Sequence, residues 1–338
     1  MLRLTSFILT LLLLSSLLFG ETSENNSTDA DKNVPAPAVS IDISNINDTD
    51  VLWGYFLQNP DSETGYNILS KLGTLGKRSR QVIDNLNNYL MGRNLLFKSG
   101  TAVDYMVVSA CISAIMELGD SSSYPALFSV LYAGYPEVIA SEANGALDVI
   151  RGSLFSFLMN VIENNSPDEK FAAFRAGISS QRLSVSERGR LAERALEQGL
   201  APSEGNIDLS AMRYSAISTL TNLRWTRANS LAIRHYYRVQ SDMLQEAVSK
   251  ERFIDAINCL GALGNSDAAL VLGLQLGLIN ARTETTGSFD QEITMAIVRA
   301  LGSIGYNAAF DHLLYISNLN YPEDIQAAAR EAVARLKW

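Results

Sequence analysis

Two histidines are all the imidazole this chain carries, and imidazole supplies most acid–base chemistry near neutral pH. His235 falls among Ala228, Leu231, Ala232 and Val239, an apolar stripe at helical spacing, and His312 sits in "AAFDHLLYI". Neither has a second histidine or a cysteine at metal-ligand spacing, so both read as packing or surface residues. The sequence has no Gly-x-Ser-x-Gly elbow, no glycine-rich phosphate loop and no His-Glu-x-x-His. The two glycines of "LGLQLGLI" fall inside a helical pattern, and Glu323-Asp324 stands at a helix start, where carboxylates favour the dipole. These residues predict no catalytic site, no cofactor and no metal centre. An enzyme is not expected.

One segment departs from the background. Leu209 to Ser241 spans 33 residues without an aspartate or glutamate, in a chain holding 36 of them in 338. It carries Arg213, Arg224, Arg227, Arg234 and Arg238, interleaved with Tyr214, Trp225, Tyr236 and Tyr237. On a helix starting near Thr226, Arg227, Arg234 and Arg238 share a sector of roughly 40°. Arginine with tyrosine and tryptophan is the composition of protein-binding hot spots. Candidate partner-binding residues are therefore Arg213, Arg224, Trp225, Arg227, Arg234, Tyr237 and Arg238. The plainer reading is a solvated arginine face whose stems cover apolar neighbours. A second cluster, "GKRSR" at Gly76 to Arg80, reads as a charged turn.

The elements that must position these residues begin after a leader. Arg3, the Leu-rich run Phe7 to Phe19 and Gly20 read as a secretory signal peptide over residues 1–20. An uncleaved N-terminal membrane anchor is the alternative. Residues 21–50 read as a disordered acidic tether, with seven acids against Lys32, a net −6. Residues 51–338 carry 29 acids and 25 basic residues, so nucleic acid is not an expected partner. Sequons at Asn25, Asn26, Asn47 and Asn164 matter only in a eukaryotic secretory path. Cys111 and Cys259 lie 148 positions apart in apolar helical segments, too far for a bridge if the elements stack in order. Two buried free thiols are expected.

Beyond the tether the chain repeats itself. "YNILSKLGTLGK", "ACISAIMELGDSSSYPALFSVL", "DAINCLGALGNSDAALVLGLQL" and "MAIVRALGSIGYNAAFDHLLYI" each run an apolar helix into Leu-Gly, a short break and a second helix. The Leu-Gly pairs are Leu72-Gly73, Leu118-Gly119, Leu263-Gly264 and Leu301-Gly302, the last two glycines 38 positions apart. Glycine there reads as a C-terminal helix cap. "LRWTRANSLAIRHYY" is a weaker copy with Arg224 in the glycine's place, and the interval is lost over 136–205. Caps are read at "SPDE" (Ser166), "SFDQ" (Ser288) and "NYPE" (Asn320). No sustained period-two alternation is present, so 13 to 15 helices and no sheet are expected.

This helix–Gly–turn–helix unit resembles the HEAT and armadillo repeats of α-solenoids, best over 209–338. The resemblance implies an all-α fold: one HEAT-like solenoid domain over 51–338, of about six to seven helix pairs, closed by the charged last helix. It also implies a non-catalytic scaffold or adaptor that binds another protein, most readily one of the cell envelope. With the leader, the expected location is a bacterial periplasm, secretion or N-terminal anchoring being the alternatives. The alternative function is binding an anionic envelope ligand, a glycan or lipid headgroup, through the arginine and aromatic segment 209–241.

Overall fold

The computed structural model describes residues 42–58, 61–201 and 208–337. The leader 1–20, the tether up to residue 41, and Asn25 and Asn26 lie outside the described residues. Packing begins ahead of Val51: Ile43 and Ile46 lie against the core, and the Lys71 ammonium donates to the Ile43 and Ser44 carbonyls at 2.7 and 2.6 Å.

The described residues form sixteen α-helices and no strand. They are α1 (Thr49–Phe56), α2 (Ser62–Leu75), α3 (Arg80–Lys98), α4 (Tyr105–Leu118), α5 (Tyr124–Leu131) and α6 (Glu137–Val149). Next come α7 (Leu154–Asn164), α8 (Pro167–Ser179), α9 (Val185–Leu200), α10 (Ser210–Leu223) and α11 (Asn229–Leu244). The last are α12 (Lys250–Leu263), α13 (Ser266–Thr286), α14 (Gln291–Ile304), α15 (Phe310–Tyr315) and α16 (Glu323–Ala334). The chain is all-α, as the periodicity predicts.

Each helix packs on near neighbours in sequence. Consecutive helices pair as α3–α4, α5–α6, α7–α8, α9–α10, α11–α12, α13–α14 and α15–α16. Along the even helices, α2 packs on α4, α4 on α6, and each of α10, α12 and α14 on the even helix that follows it. Among the odd helices, α3 meets α5, α7 meets α9, α9 meets α11, and α11 meets α13. A buried stripe runs the length of this arrangement, from Leu52 through Leu127, Leu191 and Leu260 to Ile325. Full burial of each such side chain contributes about 1.5–3 kcal/mol.

The repeated glycines serve two different purposes. Gly119, after α4, has φ +65° and caps its helix in the left-handed region, as read from the sequence. Gly73 and Gly302 instead lie inside α2 and α14. Their missing Cβ lets the next even helix come close: a Cβ on Gly73 would meet the Ala114 backbone at 2.9 Å. One on Gly302 would lie 2.9 Å from the Ala332 Cβ, and one on Gly261 the same distance from that of Ala300. The structural counterpart of Gly302 is thus Gly261 rather than Gly264, 41 positions away. Gly305, at φ +74°, is the cap of α14. Gly264 ends α12 in an extended conformation.

Arg224 does stand where a glycine belongs. It caps α10 at φ 49°, a region in which a side chain costs about 1–2 kcal/mol. The interval shortens in the middle because α5 and α7 have 8 and 11 residues, against 16 and 21 for α11 and α13. Ser166 and Glu169 form the expected capping box on α8. The other two expected caps shift: Asp290, not Ser288, accepts from the first turn of α14, and α16 follows Pro322 without a side-chain cap.

Both cysteines are buried and free. Burial pushes both thiols up, Cys259 to about 11.

Two substitutions test this packing by urea denaturation. Gly302→Val should destabilise by roughly 2 kcal/mol or more, because α16 must move away. Gly92→Ala, on the exposed face of α3 with open space around it, should stabilise by about 0.5–1 kcal/mol. Equal effects at the two sites would show that close approach is not what Gly302 provides. Arg224→Gly should in turn raise stability by about 1 kcal/mol.

Candidate functional site

The stack is least tight between its α5–α6 and α7–α8 pairs. Neither α5 and α7 nor α6 and α8 lie backbone to backbone along their lengths. No glycine–alanine contact draws them together, and Gly145 on α6 faces open space. Side chains bridge the gap instead. Phe157 of α7 stacks on Tyr124 at 5.3 Å and meets Phe128 edge-on at 5.6 Å. Asp148 accepts from the Ser180 hydroxyl and the Gln181 amide, at 2.5 and 2.9 Å. The Arg182 guanidinium donates to the Ile150 and Gly152 carbonyls, closing the turn after α6.

Where the backbones stand apart, a groove of about 1080 Å³ opens across α6, α8 and the C-terminal end of α10. Tyr132 and Phe171 give it aromatic walls, and Lys98, Arg175 and Arg188 give it cations. The Lys98 ammonium lies 5.2 Å from the Tyr132 ring centre and the Arg175 guanidinium 5.9 Å from that of Phe171. Such stacking holds a cation over a ring without neutralising it. None of the three pairs with a carboxylate among the described residues. The acids on the rim, Glu137 and Asp168, sit in the first turns of α6 and α8, where helix dipoles offset their charge. The groove is therefore net positive. Its lining comes from separated segments, which is why sequence reasoning missed it.

The arginine segment is divided between two places. Trp225 lies flat against α9: its indole N–H donates to Glu193 at 2.8 Å, and a Cβ on Gly189 would meet the ring at 2.6 Å. Arg227 stays beside it, 5.9 Å from that ring and 3.8 Å from Glu193. Because α11 starts at Asn229, Arg227 precedes the helix and does not share a sector with Arg234 and Arg238. Those two instead join Arg213 around a smaller cavity of about 330 Å³ near the N-terminus of α10. Arg213 is buried, while Arg234 and Tyr237 are exposed. Arg238 holds Asp242 at 3.0 Å. In the second basic cluster, Lys77 pairs with Glu117, Ser79 caps α3, and Arg80 pairs with Asp84.

His235 is 1% exposed, and neither ring nitrogen has a hydrogen-bond partner. Burial, with some help from Arg213, pushes its pKa down to about 3. His312 packs half-buried into the space left by Gly277, whose Cβ would meet its ring at 2.8 Å. Among the described residues no three histidine, cysteine or acidic side chains gather as a metal site, and no helix is long and apolar enough to cross a membrane. On α13 the structure exposes a ridge of Leu270, Leu274 and Leu278.

No family model matches the chain, and no curated protein is similar to it. Function therefore has to be argued from geometry. For His235 that geometry makes a prediction. The folded state keeps it neutral and the unfolded state protonates near 6.5, so its contribution is complete above that pH and declines as pH falls towards about 3. The loss at pH 5 is on the order of 2 kcal/mol. His235→Phe should lack this component, so its urea midpoint should fall less between pH 7 and pH 5 than that of the wild type. Parallel losses would remove His235 as the source.

Proposed function

We propose that this chain is an exported α-solenoid of HEAT-like helix pairs, a non-catalytic scaffold that holds an acidic segment of another protein in the groove over α6, α8 and α10. The observation that carries the reading is the groove's chemistry: three cations without carboxylate partners beside two aromatic walls. A peptide offering aspartate or glutamate beside an apolar anchor would satisfy both features, through charge-assisted contacts and burial of the rings. The packing of even helices on even helices at both ends of the described residues, α2 to α6 and α10 to α16, supports the solenoid reading. Export rests on the leader, and the part of the tether ahead of residue 42 would give the domain reach from an anchoring point. A periplasmic partner fits this arrangement.

Site-specific photocrosslinking in the native cell envelope tests the proposal. A photoreactive residue at Ser141 or Ser179, both on the groove, should trap a discrete protein partner. The same probe at Leu278 on the α13 ridge should not. Replacing Lys98, Arg175 and Arg188 together by glutamine should reduce the adduct at least tenfold. Adducts that survive that change, or that form equally from Leu278, would reject the groove as the docking site.

A further inference from the structure

The small cavity at the opposite end of α10 has the features of an anion site. Its volume, about 330 Å³, suits a small ligand. Three guanidiniums line it, Arg213 from α10 with Arg234 and Arg238 from α11, and Ser210 at the N-terminus of the 14-residue α10 completes the wall. The main-chain N–H groups of a first helical turn attract negative charge.

Arg213 is the residue that turns this from a helix end into a site. It is 6% exposed, and its Nε is buried without a hydrogen-bond partner. Its Nη2 reaches the Tyr214 hydroxyl at 3.3 Å and Asp242 at 3.5 Å. Gly199 of α9 lets it sit there, since a Cβ on Gly199 would stand 2.9 Å from the Arg213 Cβ. A buried guanidinium with an unmet donor is costly unless something answers it. Asp242 answers in part, but it also holds Arg238 through both oxygens at 3.0 and 3.2 Å. Asp208, on the rim, accepts from the Ser210 amide and hydroxyl at 2.8 and 3.0 Å. Arg234 has no ion-pair partner among the described residues. Counting Asp242, which pairs with two of the guanidiniums, and Asp208 on the rim, three positive charges stand against two negative among the described residues, and Arg234 is the one left without a carboxylate.

We propose that this pocket binds a phosphate-type oxyanion, with Arg213 and Arg234 supplying donors, Arg238 adding charge, and α10 presenting its first turn. Arginine suits this role because its fork of donors matches phosphate oxygens. The phosphate can come from a small soluble phosphate or from the headgroup of an anionic phospholipid. The site is separate from the groove: the two share no lining residue and lie at opposite ends of α10, about 20 Å apart along its axis.

Titration of the full chain with inorganic phosphate at fixed ionic strength tests this, read by the Tm and by phosphorus NMR line width. Phosphate should raise the Tm where chloride does not. The exposed double variant R234Q/R238Q should bind at least tenfold more weakly while keeping the wild-type circular dichroism spectrum. The groove variant K98Q/R175Q/R188Q should bind phosphate as the wild type does, so failure of one site is distinguishable from failure of the other. Co-sedimentation with phosphatidylglycerol vesicles but not phosphatidylcholine vesicles, lost in R234Q/R238Q, would assign the phosphate to a lipid headgroup. Phosphate binding without vesicle binding would assign it to a soluble ligand. Absence of a phosphate-specific Tm rise, or equal phosphate affinity in R234Q/R238Q, overturns the proposal.

Discussion

Three times among the described residues a glycine on one even helix lies against an alanine two helices on, as Gly73 on Ala114, Gly261 on Ala300 and Gly302 on Ala332. The contact sets how near two backbones can come, and nearness decides how much apolar side chain the flanking turns can interlock. A pair of helices exposes too much apolar surface to be stable alone, so the neighbouring pair has to cover it. Where the small-residue contact is present, even helices close along their length. Where it is absent, between α6 and α8, aromatic side chains span the gap and a groove opens on the surface. The α4–α6 and α10–α12 pairs close without such a glycine, so the missing Cβ sets the approach at three places, while larger side chains set it elsewhere.

The same logic places charge. In the groove, Lys98 and Arg175 rest over aromatic rings rather than on carboxylates, which leaves their charge available to a ligand. In the small cavity, Gly199 lets α9 and α10 approach closely enough to enclose the Arg213 stem. Some arginines elsewhere rest on rings, as Arg93 over Tyr89 and Arg190 over Phe155, and others are neutralised locally, as in the Arg80–Asp84 and Arg335–Glu331 pairs one helical turn apart. Exposed pairs of that kind contribute little to stability. Near the two ends of α10, cations without carboxylate partners line cavities, Lys98, Arg175 and Arg188 at one and Arg234 at the other.

Buried polar groups show a second constraint. Asn280, Thr283 and Tyr321 satisfy one another across α13 and the turn before α16, with the Tyr321 hydroxyl 3.0 Å from both partners. Asn229 donates to Asn265 at 2.7 Å, while Asn265 caps α13. These contacts fix the register between units. His235 departs from this pattern, enclosed with both nitrogens unmatched, and it makes the fold sensitive to acid.

Several features were legible in the residues alone. Apolar spacing of three and four gave helices, because that period is a local property of the backbone. The Ser166 cap and the burial of both cysteines could likewise be read from neighbours in sequence, and Arg224 could be recognised as standing in a glycine's place. The purpose of each Leu-Gly pair could not. A glycine that ends a helix and one that admits another helix look the same in sequence, and the second partner lies some forty residues away. Nor could the sequence show that Arg227 would part from Arg234 and Arg238, since that depended on α11 starting at Asn229. Local chemistry determined the elements; which cations ended up unpaired, and facing which cavity, was decided when distant helices came together.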